Sequence, residues 1–215
     1  MQVSAEIRWF WREGAEPHEL KDWFCTEHAH GCLAGGGNEA GRLDEYQSEP
    51  GQLELGVKLR GGKRGVEVKG LVEAVSDELA IPPFAGPIEL WTKWTSHALA
   101  LNSSMTVSTK KRRWLRKFDT ASGPPKEIPL DANENPAGQQ ALPVLGCNVE
   151  LTHLELPDGR IWWTFAFEAF GRVQTVAGSL RATSSELARR KPPAFGAAFV
   201  ASYPAWLSAL AGGTV

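Results

Sequence analysis

The chain has few cysteines, no long apolar run and almost no net charge, and each lack excludes something. Three cysteines in 215 residues are an odd count with no disulfide framework, which fits a reducing, cytoplasmic setting. No stretch approaches the roughly 20 apolar residues of a membrane span, so no membrane partner is expected. The opening "MQVSAEIRWFWRE" has no basic start followed by an apolar stretch and does not read as a signal peptide. A formal net charge of −2 gives no global case for nucleic acid or an anionic surface. Any basic site must be local. No internal repeat at a fixed period is visible.

What is present is ordinary in bulk. Apolar residues make up 42% and charged residues 22%, enough for a sizeable core. The length fits a single domain over 1–215, with a homodimer left open. "SAEIRWFWRE" alternates as a strand, and "EPHELKDWFCTE" carries Leu20, Trp23 and Phe24 at helical spacing. "LDEYQ" reads as a short strand. "LELGVKLRGGKRGVEVKGLV", Leu53 to Val72, reads as a hairpin turning at "GGKRG". "IELWTKWTSHALAL" and "SMTVSTKKRRWLRKF" are further strands, and "GCNVELTHLEL" with "IWWTFAFEAFG" forms a second hairpin around "PDGR". A long surface loop at 119–143, rich in Pro, Gly, Asn and Asp, interrupts them. The tail predicts a helical segment at 183–211, started by the capping pattern in "TSSELARR".

Side chains alternate between the faces of a strand. In the first strand Ile7, Trp9 and Trp11 oppose Glu6 and Arg8. In the first hairpin the apolar parity opposes Lys58, Arg60, Glu67 and Lys69; in the next strand Ile88, Leu90 and Trp94 oppose Glu89 and Lys93. In the basic strand Met105, Val107 and Leu115 set the apolar parity, which puts Lys110, Arg112 and Arg116 opposite; a bulge would exchange them for Lys111 and Arg113. In the last hairpin the polar parity carries Glu150, Thr152, Thr164 and Glu168. Nearly every strand thus has one aromatic-rich apolar face and one face with charges of both signs. An open sheet with one wet face satisfies this pattern. So does a barrel with a polar lumen. The fold class expected is α+β: an antiparallel eight-stranded closed or nearly closed β-barrel, a tunnel, with peripheral helices.

From Ala5 to about Phe170 the array resembles, in strand order, the CYTH superfamily, the triphosphate tunnel metalloenzymes. These fold as eight-stranded antiparallel barrels lined by Lys, Arg and Glu. They include adenylate cyclases, thiamine triphosphatases, polyphosphatases and RNA triphosphatases. "LGVKLRGGKRGVEVKG" is similar to the family's second and third strands, and "TKKRRWLRKF" to its K-x-R strand, through Lys110 and Arg112. "NVELTHLEL" and "IWWTFAFEAF" are similar to the late hairpin that supplies carboxylates, through Glu150 and Glu168. The shared polar parity and the resemblance together lead to the expectation of a triphosphate- or polyphosphate-containing small molecule held by Arg8, Lys58, Arg60, Lys69, Lys93, Lys110, Arg112 and Arg116. It implies Glu6, Glu67, Glu150 and Glu168 as metal candidates or counter-charges. The cofactor implied is Mg²⁺ or Mn²⁺, and the activity metal-dependent triphosphate or polyphosphate hydrolysis.

The sequence departs from the family's opening E-x-E-x-K: Glu6 keeps the first position, while Arg8 and Phe10 replace the others. Thr152 and Phe170 stand where further carboxylates are usual. Cations are kept and carboxylates thinned, which weakens a hard-cation site more than a phosphate site. The competing expectation is a catalytically inactive scaffold whose lumen charges are structural ion pairs and whose Trp-rich outer face binds a partner protein.

Other signals are weaker. "CTEHAHGC" places Cys25, His28, His30 and Cys32 in a span too compressed for easy tetrahedral zinc ligation. "KKRRWLRK" looks like a nucleic-acid patch, but strand alternation divides it between two faces. Trp91 and Trp162 fall on the charged parity, suited to a stacked ligand or to capping a barrel mouth.

Overall fold

The computed structural model describes residues 2–12, 17–26, 41–75, 78–131, 133–138 and 141–215. In chain order the elements are β1 (Gln2–Arg12), α1 (His18–Thr26), β2 (Arg42–Gln47), β3 (Leu55–Arg60), β4 (Val66–Ala74), β5 (Leu79–Ile81), β6 (Phe84–Gly86) and β7 (Glu89–Ser96). There follow β8 (Thr106–Asp119), β9 (Lys126–Ile128), β10 (Gly146–Glu155), β11 (Ile161–Gly171), α2 (Val173–Ala188), β12 (Phe199–Val200) and α3 (Tyr203–Ala211). Eight strands run β10-β11-β1-β7-β4-β3-β2-β8, and β8 pairs back to β10. The result is a closed, fully antiparallel barrel.

Closure separates the two parities. Ile7, Trp9, Val149, Leu151, Phe165 and Phe167 point outward and are buried under Val176, Leu180 and Leu187 of α2, Leu20 and Phe24 of α1, and Phe84 and Phe195. Rings dominate this outer core: Phe84 stacks on Phe165 with centroids 5.6 Å apart, and Phe195 meets Trp9 edge-on at 5.0 Å. Aromatic pairs of this kind add roughly 0.5–1.5 kcal/mol each beyond area burial.

The inward parity is apolar only where the barrel is stoppered. Phe10, Leu154 and Trp162 meet Trp206 and Leu207 of α3, with Phe10 stacked on Trp206 at 5.2 Å. Gly56 permits this approach, since a Cβ there would lie 3.3 Å from Pro204 at the start of α3. A smaller cluster joins Leu115 of β8 to Ile128 and Leu130.

Three expectations change in detail. The register of β8 is the alternative one. Trp114 and Phe118 join the outer core, so the odd-numbered residues face inward, Leu115 among them. Second, α2 begins at Val173, well before the expected 183–211 segment. The Ser residues of "TSSELARR" do not cap: Ser184 and Ser185 Oγ both donate back to the Arg181 carbonyl, at 3.0 and 2.8 Å, the bonding of hydroxyls inside a helix. Third, the loop at 119–143 is more than a surface excursion. It contributes β9, paired to β8, and the buried Ile128 and Leu130.

Candidate functional site

The lumen encloses a cavity of about 130 Å³. At roughly 10–15 Å³ for each water centre, that is space on the order of ten waters. Its wall is charged on every side. Among the described residues, eight cations line it: Arg8, Arg42, Lys58, Arg60, Lys69 and Lys93, with Lys111 and Arg113 of β8. The described carboxylates that line it are Glu6, Glu67, Glu150 and Glu168. Thr152 and Tyr203 complete the polar lining.

Most lumen charges are paired. Lys69 Nζ donates to Glu6 Oε2, and Ser4 Oγ donates to Oε1 at 2.6 Å. Arg8 donates to Thr164 Oγ1 at 2.9 Å and to Glu150 Oε2 at 3.4 Å, and its guanidinium lies 4.6 Å over the Tyr203 ring. Arg113 donates through Nη1 to Glu150 at 2.7 Å. Lys58 lies 3.3 Å from Glu67, and Lys93 3.6 Å from Glu168. Burial opposes the charge of Glu150, but Arg113, Arg8 and Lys111 outweigh it and hold the carboxyl far below its ordinary range. Burial likewise opposes the charge of Glu6, and Lys69 overcomes it.

Behind the lining, Asp44 is fully buried. Arg42 grips both its oxygens at 2.7 and 2.9 Å, and Lys58 and Lys111 lie 3.8 and 4.0 Å away. Lys111 donates to the Tyr46 hydroxyl and sits 3.9 Å over the Tyr203 ring. Burial, with Lys58 nearby, pushes Lys111 down to about 8 despite Tyr46 and Asp44. Arg60 lines the cavity without an ion pair among the described residues.

The structure brings Arg8, Lys58, Arg60, Lys69, Lys93, Glu6, Glu67, Glu150 and Glu168 into one cavity. It does not bring Lys110, Arg112 or Arg116 there. Lys110 is on the outer surface, 3.8 Å from Glu155, and Arg112 is exposed. Arg116 is buried outside the barrel wall, with Glu127 accepting from Nε and Nη2 at 2.7 Å each. The aromatic pull of Trp114 and Phe118 into the outer core forces this assignment. Sequence reasoning left out Arg42, Asp44 and Tyr46, although they alternate along β2. It also left out Tyr203 and Glu134, which reach the site from outside the barrel strands.

The carboxylates do not fit a divalent ion as they stand. Mg²⁺ takes near-octahedral oxygen ligands. Among the described residues no group of three or more His, Cys, Asp or Glu comes together, and Glu6 and Glu150 are committed to Lys69, Arg8 and Arg113. Of the compressed Cys/His motif, His28, His30 and Cys32 lie outside the described residues. Trp162 stoppers the barrel end. Trp91 is buried in the wall, its Nε1 donating to Glu89 at 3.0 Å. Among the described residues no helix is long and apolar enough to cross a membrane.

No protein-family model and no curated protein matches the chain.

The arrangement itself therefore carries the chemistry. Among the described residues, eight lining cations against four carboxylates leave a surplus of four positive charges. Counting Asp44 and Glu134, which pair with lining cations, still leaves two. The whole chain is net negative at −2, so positive charge is concentrated inward.

Proposed function

We propose that the lumen binds a small polyanion, a triphosphate or another short polyphosphate group, without requiring a divalent metal. The cationic surplus of the cavity carries this reading. A lumen built only of structural ion pairs needs no surplus, and desolvated cations without counter-charges are costly. Among the described residues, Arg60 has no ion pair and Lys111 shares Asp44 with Arg42 and Lys58. Arg supplies bidentate forks and Lys point charges for phosphate oxygens. The closed antiparallel barrel is the architecture that the CYTH resemblance implies, and it supports treating the chain as a divergent relative. The depleted carboxylates favour binding over metal-dependent hydrolysis. Buried Cys147, a free thiol, accords with a cytoplasmic setting.

The second reading, an inactive scaffold, rests on the pairing of each lining carboxylate with a cation. Its outer-face partner site is weakened by burial of Trp9, Trp11 and Trp163, which leaves Trp94 exposed at 41%. Titration calorimetry with sodium triphosphate, with and without Mg²⁺ or Mn²⁺, separates the two. The lumen reading expects metal-independent binding that weakens with added salt. Absence of heat and of thermal stabilisation at millimolar triphosphate favours the scaffold. Phosphate release in the same mixtures tests hydrolysis.

A further inference from the structure

Among the described residues, Arg113 is the one lumen cation whose guanidinium fork is filled from outside the barrel. Its Nε donates to Glu134 Oε1 at 3.0 Å and its Nη2 to Glu134 Oε2. Glu134 sits at the tip of a tight turn in the excursion between β9 and β10. The Asp131 carboxylate accepts from the backbone N–H of Asn133 and Asn135, at 2.8 and 2.9 Å. Leu130 bridges to Pro136 and anchors the turn in the small cluster with Leu115 and Ile128. Glu134 itself has φ +63°, a left-handed backbone that a residue with a Cβ adopts reluctantly. A strained backbone at the residue that delivers the carboxylate marks a constrained placement, not a loosely dangling side chain. The pair is nonetheless accessible, with side chains 21% and 25% exposed.

Resting on the lumen reading above, we infer that Glu134 is a built-in competitor for Arg113 that makes the site select the dianionic end of a phosphate chain over singly charged phosphate units. The reasoning is one of exchange. A ligand reaching Arg113 must replace a carboxylate of charge −1 already in bidentate geometry. A phosphodiester or internal phosphate unit also brings about one charge, so the exchange gains little. A terminal phosphoryl group brings about −1.5 to −2 near neutral pH, so the same exchange is favourable. The opposite end of the lumen is stoppered by Trp206 and Leu207, both buried, which suits a ligand that inserts an end and not one that threads through.

The test compares linear triphosphate with cyclic trimetaphosphate, which has the same number of phosphorus atoms and no terminal group. Calorimetry at fixed ionic strength and pH 8 reads both against wild type, Glu134→Gln and Glu134→Gly; glycine accepts the left-handed backbone. Wild type should prefer the linear ligand by about tenfold or more. Both variants should gain about fivefold or more on the cyclic ligand and narrow the preference to about threefold. A preference unchanged in both variants overturns the role of Glu134 while leaving the lumen reading intact. Equal binding of the two ligands by wild type does the same. No binding of either ligand by any of the three proteins overturns the lumen reading, and this inference with it.

Discussion

Lys111→Met should make the ligand-free protein more stable. Lys111 is buried, with 6% of its side chain exposed. The groups facing it are Tyr46 and Asp44 of β2, Lys58 of β3 and Tyr203 of α3. A fall from the ordinary value of 10.5 to about 8 corresponds to about 3 kcal/mol, at 1.36 kcal/mol for each tenfold change. The two tyrosine faces return roughly 0.5–2 kcal/mol of that as cation–π attraction. A net penalty of about 1–3 kcal/mol remains. Methionine keeps the unbranched stem and removes the charge, so the variant should melt about 2–10 °C higher at pH 7. Asp44 keeps Arg42 and Lys58 as partners.

The pH dependence fixes the cause. Below pH 8 the lysine is charged in both folded and unfolded chains, and the full penalty stands. Between about pH 8 and 10.5 the folded protein gives up this proton while the unfolded chain retains it, so wild-type stability rises with pH. Burial raises Tyr46 above its ordinary value, so it stays protonated in that window. The two proteins should converge as pH climbs through the window. Urea melts of both at pH 7, 8.5 and 10 decide it. A variant no more stable at pH 7, or a gap that does not shrink by pH 10, refutes the reasoning.

Three further outcomes follow from the placement of charges and rings. Arg112→Ala should leave stability within about 0.5 kcal/mol of wild type and triphosphate affinity unchanged, whereas Arg113→Ala should weaken that affinity by about tenfold or more; calorimetry on the pair checks the β8 register. Glu127→Ala should cost about 3–5 kcal/mol in chemical denaturation, because Arg116 is fully buried on it and Arg190 also donates to it at 2.5 Å. Phe10→Ala should cost about 3–5 kcal/mol by the same measurement, since the ring is fully buried between Trp206 and Phe199 at 5.2 and 5.8 Å.

The barrel was legible wherever one parity held the charges and the other the rings. β1 shows it plainly: Ile7, Trp9 and Trp11 go to the outer core, while Glu6 and Arg8 line the cavity. β8 is harder because cations occupy both parities. Val107 and Leu115 argue for one register and Trp114 and Phe118 for the other. The larger rings win, and Val107 and Leu115 are absorbed by the apolar clusters at the barrel ends. Those clusters are where the alternation rule breaks down, since an inward residue there meets the α3 stopper or the loop after β9 and not the lumen. Glu134 and Tyr203 could not be assigned from periodicity at all. They arrive through packing of the loop and of α3, and no strand alternation points to them.

The same division explains how the protein tolerates its lumen. Apolar burial is concentrated in the outer core and the two end clusters, away from the lumen charges. Those elements hold the wall closed even though the lumen concentrates like charges and a lysine that burial disfavours in its charged form. On the proposed reading, occupancy of a cavity with a positive surplus feeds back on the fold. An anion that binds only the folded state stabilises it by about 2.7 kcal/mol at a hundred times its dissociation constant. Part of that gain here is relief of Lys111, which an added anion would draw back to the charged form with uptake of a proton. At pH 8.5 to 9 anion binding should therefore take up a fraction of a proton, seen as a binding enthalpy that varies with the ionisation heat of the buffer. A binding enthalpy independent of buffer in that range would mean that Lys111 is already charged in the empty lumen, and that the surplus alone draws the anion.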